Sequence, residues 1–133
     1  MTSPAAARAA YHVVMVRMNQ RTMRITLTNN LIQRLLTDEF MKKVTELEYM
    51  DWTDYDDFER KYGSDTSPDN YTMRKIVWGT YDSLGMMLMK GLADKEILYN
   101  STLAFSGIGI WSKYREVLME NRRRYSGGCV GWV

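Results

Sequence analysis

Four acidic residues are concentrated in residues 52–63, WTDYDDFERKYG, and neighbouring carboxylates are groups that enzymes use for acid–base chemistry. The local pattern favours a structural role instead. Thr53 suits a helix N-cap with an acid, Asp56, three residues later, and Gly63 supplies the stop. The aromatic residues fall at steps of three, three and four and so share one helical face: Trp52, Tyr55, Phe58 and Tyr62. We therefore predict a short helix with its rings packed inward and its acids turned outward, where they stabilise the first turn.

The other residue types that carry chemistry are too few to form a catalytic or metal-binding set. His12 is the only histidine and Cys129 the only cysteine, so neither a hydrolytic triad nor a zinc cluster is expected. A di-iron bundle needs two Glu-x-x-His pairs, and Glu46 and Glu48 point to different faces of a helix. No phosphate loop, dinucleotide fingerprint or calcium loop is present. The sequence predicts a protein that is not an enzyme and uses no metal or cofactor, with His12 packed or half-buried on its helix.

The chain contains no stretch of about 18 apolar residues, the minimum for a membrane-spanning helix. The nearest approach is residues 9–16, AAYHVVMV, which Arg8 and Arg17 bracket too closely for a signal peptide. A single cysteine cannot form an internal disulfide, which is typical of a reducing compartment, although a cysteine-poor exported protein would look the same. We therefore expect a cytoplasmic protein, with a first helix that lies on a membrane surface as the alternative.

The elements that position these residues are predicted to be helices, because the chain has only two prolines and many strong helix formers. The first helix is expected over residues 5–18, and residues 19–27 leave open whether it continues past Thr28. The best-patterned helix follows, with an apolar stripe at steps of three and four residues: Leu31, Ile32, Leu35, Leu36, Phe40, Met41, Val44 and Leu47.

Start and stop signals divide the second half of the chain. Ser67 and Pro68 open a helix that Gly91 ends. Gly79 and Gly85 inside this helix predict close packing against a neighbour, because glycine is unfavourable in a helix interior. Asp94 caps a further helix, and residues 106–111 interrupt it. A final helix over residues 110–124 is expected to bury Trp111, Tyr114, Val117 and Leu118.

These elements predict an all-α fold, a single helical bundle-like domain of about five helices over residues 5–125. Residues 1–4 are expected to form a disordered tip and residues 126–133 a flexible tail. With 133 residues, 45% hydrophobic and 26% charged, the chain is long enough to bury one core.

Charge is distributed unevenly, although the net charge is only +2. Residues 1–45 carry +5, residues 46–70 carry −7 and residues 71–133 carry +4. Two arginine groups could neutralise phosphates, one on a single helical face and one near the C-terminus: Arg17, Arg21 and Arg24, and Arg122, Arg123 and Arg124. Nucleic-acid binding is therefore an alternative function, and neutralisation of the acidic block by its basic flanks within the fold is the simpler interpretation.

Methionine is unusually frequent, with eleven residues. Residues 86–89, MMLM, cannot all face one core from one helix, and methionine suits adaptable apolar contacts. The candidate partner surface consists of Met86, Met87, Met89 and Trp132, and the alternative is a central helix wrapped on all sides. We expect a non-enzymatic helical interaction protein, a small accessory subunit or adaptor. Its partner would be another protein or a second copy, and no small-molecule substrate is expected.

From Thr28 onward, the order of features resembles a family of small bacterial proteins catalogued as domain of unknown function 4760. The similar part covers about residues 30–124 and includes NNLIQRLLTDEFMKKVTEL, MDWTDYDDF, YDSLGMMLMKGLADKEIL and IWSKYREVLMENRRRY. The resemblance implies an all-helical fold behind a single N-terminal membrane helix, with no catalytic residues to carry over. This sequence departs from the family at that first helix, which is short and carries Arg8, His12 and Arg17.

Overall fold

The computed structural model describes residues 3–125, and these residues form six α-helices and no strand. The helices are α1 (Pro4–Leu35), α2 (Asp38–Tyr49), α3 (Tyr55–Tyr62), α4 (Pro68–Met89), α5 (Lys95–Tyr99) and α6 (Thr102–Arg124). The predicted all-α fold is confirmed. Residues 1–2 and 126–133 lie outside the described residues, and with them the predicted tail that includes Cys129 and Trp132.

Helix α1 is long because no breaker interrupts it. Ser3 caps it by accepting a hydrogen bond from the Ala6 N–H at 3.1 Å, and Pro4 occupies the first helical position. The β-branched residues between positions 19 and 28 do not end the helix, so the continuation past Thr28 that the sequence left open is what the structure shows.

The apolar stripe over residues 31–47 is shared by two helices rather than one. Thr37 is the N-cap of α2, and its hydroxyl accepts from the Phe40 N–H at 3.2 Å. Asp38 and Glu39 then fall in the first turn, where acids are favourable. The single helix expected here was wrong, because the apolar spacing continues across the bend and conceals the start signal at Thr37.

Helix α3 begins one residue later than the Thr53 cap predicted. Asp54 is the N-cap, and its carboxylate accepts from the Asp57 N–H at 2.8 Å. Asp57 in turn accepts from the Thr53 N–H at 2.9 Å, so the pair satisfies two backbone donors reciprocally. Helix α3 ends at Tyr62, and the stop expected at Gly63 is confirmed.

The two glycines inside α4 do not mark close packing. A Cβ built at Gly79 or at Gly85 would meet no atom within 4 Å, so the predicted contact with a neighbouring element was wrong at both positions. The helix starts at Pro68 as expected. It is followed by Gly91, which adopts a φ of 69°, in the left-handed region that favours glycine.

Helix α6 runs without interruption from Thr102 to Arg124, so the break predicted at residues 106–111 was wrong. Gly107 lies inside it because the Tyr81 ring packs there, and a Cβ at Gly107 would stand 2.7 Å from Tyr81 Cε1. The prediction of four buried residues is correct only in part: Tyr114 and Val117 are buried, Leu118 is half-buried and Trp111 is exposed.

The core lies between α2, α4 and α6, with α3 packed across one end. Tyr114 of α6 is fully buried, and its hydroxyl donates to the Leu47 carbonyl of α2 at 2.6 Å. Helix α4 runs antiparallel to α2, since Asn70 contacts Met50 near one end and Tyr81 contacts Phe40 near the other. The shared face predicted for the α3 region is confirmed, because all four rings belong to this core or pack against it: Trp52, Tyr55, Phe58 and Tyr62.

Helix α5 and the last turns of α1 pack together at the opposite end of the body from α3. The Thr28 side chain is buried at their contact. Its hydroxyl donates to the Arg24 carbonyl and accepts from the Asp94 N–H, both at 2.7 Å. Ile32 and Leu35 continue the contact with the core. On the N-terminal side of Thr28, α1 projects away from the body.

Candidate functional site

The projecting part of α1, residues 4–27, is here called the outer helix, and it is about 36 Å long at 1.5 Å per residue. Every residue from 3 to 24 is exposed. Four consecutive apolar residues, Val13 to Val16, are exposed by 51%, 53%, 36% and 54%. Because a helical turn contains 3.6 residues, four in a row place apolar side chains on every side. Helices that are apolar all round are normally buried.

The outer helix is also basic. Arg17, Arg21 and Arg24 are exposed at steps of four and three residues, as the sequence predicted. No acidic residue occurs anywhere in α1, so no i,i+4 ion pair along the helix offsets these charges. The outer helix therefore presents apolar side chains and uncompensated positive charge together.

The second arginine cluster is engaged within the fold. Arg123 Nε donates to Glu120 Oε2 at 3.0 Å, and Arg124 Nε donates to Glu120 Oε1 at 2.8 Å. These hydrogen bonds, from Arg123 first and Arg124 second, lower the pKa of Glu120 to about 2. Arg124 also lies 3.4 Å from Asp56. The charge of Arg123 and Arg124 is thus partly neutralised, which makes this cluster a weaker phosphate site than the outer helix.

The methionines at the end of α4 are divided between the surface and the interior. Met89 is exposed by 69% and Met86 by 38%, whereas Met87 and Leu88 are half-buried. This placement agrees with the prediction that the four side chains cannot all face one core. Trp132, the fourth member of the predicted partner surface, lies outside the described residues.

An apolar groove of about 620 Å³ lies between α4 and α6 and is bounded by α5. Helices α4 and α6 each contact other elements, and the space between their facing sides forms the groove. Its lining is mostly aromatic and aliphatic: Trp78, Tyr81, Asp82, Gly85, Leu88, Met89, Lys95, Tyr99, Gly107, Ile110, Trp111 and Leu118. The volume falls in the range of small-molecule sites.

Two charged side chains belong to the groove. Asp82 is half-buried on α4, and Lys95 is exposed at the first position of α5. Among residues 3–125, the structure gives neither side chain a hydrogen bond or an ion pair, with each other or with any other group.

Two residues of the inner wall of the groove, Trp78 and Tyr81, each have a buried polar atom without a partner in the described part of the chain, the indole N–H and the hydroxyl. Burial is the main reason that the pKa of Tyr81 rises to about 12. The negative charge of Glu48 raises this pKa further. The nearby Ser106 hydroxyl lowers it, although the geometry between the two hydroxyls is not that of a hydrogen bond. A buried polar atom left unsatisfied costs about 1–3 kcal/mol, so this wall is the least well satisfied part of the described core.

The acidic stretch of residues 52–63 does not form a catalytic pair. Asp57 is buried, contrary to the expectation that every acid faces outward, because it caps the backbone of Thr53. That hydrogen bond, supported by Lys61 and Arg60 and opposed by burial, lowers the pKa of Asp57 to about 2. Its carboxylate lies 3.2 Å from Lys61 Nζ. Asp57 is therefore a structural anion.

His12 is exposed on the outer helix, so its predicted packing was wrong. The reason is that no other helix of the described residues covers this face, and the His12 ring packs edge-on to the Tyr11 ring with their centroids 5.9 Å apart. Within residues 3–125, no group of three His, Cys, Asp or Glu side chains is arranged to hold a metal ion.

A buried cation that the sequence did not indicate joins α3 to α4. Arg74 is 3% exposed, and its guanidinium donates to Asn70 Oδ1 at 2.9 Å and to the Tyr62 carbonyl. The Phe58 ring lies under it at 4.8 Å. Burial lowers the pKa of Arg74, whereas the Tyr114 hydroxyl, the Glu59 charge and the neighbouring ring faces favour its charged form.

Sequence reasoning missed the groove residues, chiefly Asp82, Tyr99 and Trp111. Trp111 was expected in the core, and Asp82 and Tyr99 carried no distinguishing pattern. A usable signal was present at Gly85, where a helix-weakening residue stands between an acid and an apolar run. Gly85 was interpreted as a sign of close packing against a neighbouring helix, but it leaves open space beside α4.

No protein-family model matches the chain, and no curated protein and no solved structure matches it. The resemblance described above therefore stays a prediction. Among residues 3–125, none of the helices combines the length and the apolar character needed to cross a bilayer.

Proposed function

We propose that this protein is a non-enzymatic helical interaction protein, an accessory subunit or adaptor that binds its partner through the outer helix. The observation that carries the proposal is the exposure of Val13 to Val16 on every side of a helix that the body does not cover. Burial of apolar surface is the dominant favourable term in most protein–protein association.

The outer helix is well placed for this role because it is anchored at one end. Thr28 fixes α1 to the Asp94 backbone, and Ile32 and Leu35 pack on the core. In proteins most helical stability comes from the packing of a helix face on neighbouring elements rather than from helix propensity alone. A partner that surrounds the outer helix would supply the tertiary contacts that most protein helices need, while the body holds its base in a fixed direction.

Met86 and Met89 give the body a second apolar contact region. They lie near the end of α4, which leads to α5 and so to the base of the outer helix. We infer that a protein partner, or a second copy of the chain, makes its main contact with the outer helix and an additional contact with this region.

Nucleic-acid binding is the second candidate function, and one observation favours it. The outer helix exposes Arg17, Arg21 and Arg24 with no acidic residue in α1. Such a row would neutralise phosphates in a strongly salt-dependent manner. The apolar turn at residues 13–16 has no use in that function, which is why protein binding is preferred. Attachment to a membrane surface by the same helix is a third candidate.

Site-specific photo-crosslinking in the cells that express the protein distinguishes these candidates. A photoreactive phenylalanine analogue replaces Tyr11 on the outer helix, and the matched control replaces Tyr49, which is 83% exposed at the end of α2. We expect a discrete protein adduct, or a covalent dimer, at Tyr11 and none at Tyr49.

The composition of the adduct identifies the function. An adduct that nuclease removes would establish the nucleic-acid alternative, and a lipid mass would establish the membrane alternative. Equal, diffuse labelling at Tyr11 and Tyr49, with a monomer in sedimentation at every concentration, would contradict an interaction role for the outer helix.

A further inference from the structure

We propose that the groove between α4 and α6 is a binding site for an organic cation with an apolar body, such as an aryl or alkyl ammonium compound. This inference concerns the body of the protein and stands apart from the function proposed for the outer helix. The ligand would be held and not converted, since the groove has no acid–base pair or nucleophile in place.

Of the two charged side chains in the groove, the negative one is half-buried and the positive one is exposed. Asp82 is half-buried on the α4 wall and has no ion-pair or hydrogen-bond partner among the described residues. Its short side chain keeps the carboxylate close to the helix. Lys95 is the opposing charge, but it is exposed at the start of α5 and has a flexible four-carbon stem. Its ammonium group can stay in water while the stem covers apolar surface.

The aromatic lining adds to the preference for a cation, because ring faces carry negative charge density. Tyr99 and Trp111 both line the groove and are exposed by 60% and 36%. In the described part of the chain, neither ring has an aromatic or cationic partner. Trp78 differs, since the Arg74 guanidinium already lies 5.3 Å from its ring centroid. This precedent shows that cations are stabilised by rings in the same part of the fold.

Gly85 keeps the groove open. It lines the groove from the interior of α4, and a Cβ there would meet no atom within 4 Å. Packing therefore does not demand glycine, although glycine lowers helix stability by about 0.5–1 kcal/mol relative to alanine. A side chain at this position would project into the groove. Gly79 has the same free space on the same helix but does not line the groove, which makes it a matched control.

The test measures the binding of three probes of similar size by isothermal titration calorimetry with the full chain at low ionic strength. The probes are benzylammonium, which is a cation, benzyl alcohol, which is neutral, and benzoate, which is an anion. We expect saturable 1:1 binding of the cation, about five- to tenfold tighter than the alcohol, with benzoate weakest.

Three variants locate the site. Asp82→Asn should reduce the preference for the cation over the alcohol while leaving alcohol binding unchanged. Gly85→Leu should weaken binding of the cation at least tenfold. Gly79→Leu should leave it unchanged. The circular dichroism spectrum and the sedimentation coefficient of each variant show whether the fold and the association state are retained, so a folding defect is recognised separately.

Four results would overturn the proposal: no saturation with the cation, tightest binding of benzoate, an unchanged affinity in Gly85→Leu, or dissociation of an assembly by Gly85→Leu. The second would make Lys95 the anchor of an acid-binding site. The last would show that a second copy covers the groove. None of these results bears on the Tyr11 crosslink, so failure of this proposal and failure of the interaction role are distinguishable.

Discussion

At the scale of single residues, the clearest consequence of the structure is the use of a buried carboxylate as a backbone cap. Asp57 stands in a stretch that resembles an acidic active site, yet its partners are the Thr53 N–H and two basic side chains on its own helix. Composition indicates that acids belong near a helix start. It does not indicate which acid turns inward, because a shift of one residue in the cap, from Thr53 to Asp54, changes which side chain faces the backbone donors.

The lowered pKa of Asp57 makes stability depend on pH in a defined window. The pKa falls from its ordinary value near 3.8 to about 2 on folding, so the unfolded chain binds more protons between these values. The contribution of Asp57 is complete above about pH 4 and is lost as the pH falls through about 2. We expect Asp57→Asn to be less stable than the unmodified protein at pH 7 and to lose less stability on acidification.

Urea unfolding followed by circular dichroism at pH 7, 4, 3 and 2 checks this expectation. Asp65→Asn, in the exposed loop before α4, is the control and should follow the unmodified protein. Glu120, whose pKa is also lowered to about 2, contributes part of the pH dependence of stability in every variant. Parallel stability curves for Asp57→Asn and the unmodified protein would show that Asp57 makes no such contribution.

At the scale of elements, apolar periodicity located the helices but not their ends. The stripe over residues 31–47 continues across the Thr37 bend, since two consecutive helices can keep their apolar faces in register with one core. Conversely, Gly107 and Gly109 suggested a break in a helix that is continuous, because a glycine in a well-packed helix lowers its stability without ending it. Caps identified from residue type were correct where one candidate stood alone, as at Asp94.

One hydroxyl, that of Thr28, connects α1 to the N-cap residue of α5. Thr28→Val preserves the shape of the side chain but removes the acceptor for the Asp94 N–H. A donor left unsatisfied in a partly buried contact costs about 1–3 kcal/mol. We expect this loss in the free energy of unfolding, measured by urea denaturation at 25 °C.

Thr26→Val is the matched control, because Thr26 is exposed two residues earlier on the same helix. Its effect should stay within about 0.5 kcal/mol, as for most surface substitutions. Equal effects of the two substitutions would mean that the Thr28 hydroxyl does not fasten α1 to the body.

At the scale of the whole molecule, the all-α class and most of the core followed from composition and spacing, as did the exposed methionines at the end of α4. The projection of the outer helix and the groove did not. Both depend on which helices do not contact one another. The spacing of apolar residues along the sequence does not show this. The apolar run at residues 13–16 looks the same in a sequence whether it packs on its own body or is held out for another molecule.

The proposed function requires that the outer helix is uncovered in the isolated chain and covered in a complex. Hydrogen exchange with mass spectrometry, on the chain alone and on the complex recovered through the Tyr11 crosslink, tests this directly. Alone, amides of residues 4–27 should exchange far faster than those of α4 and α6, because a helix without tertiary contacts opens locally. In the complex, their exchange should slow at least tenfold. Equal protection of the outer helix and the core in the monomer, or unchanged exchange of residues 4–27 in the complex, would contradict the proposed role of the outer helix in partner binding.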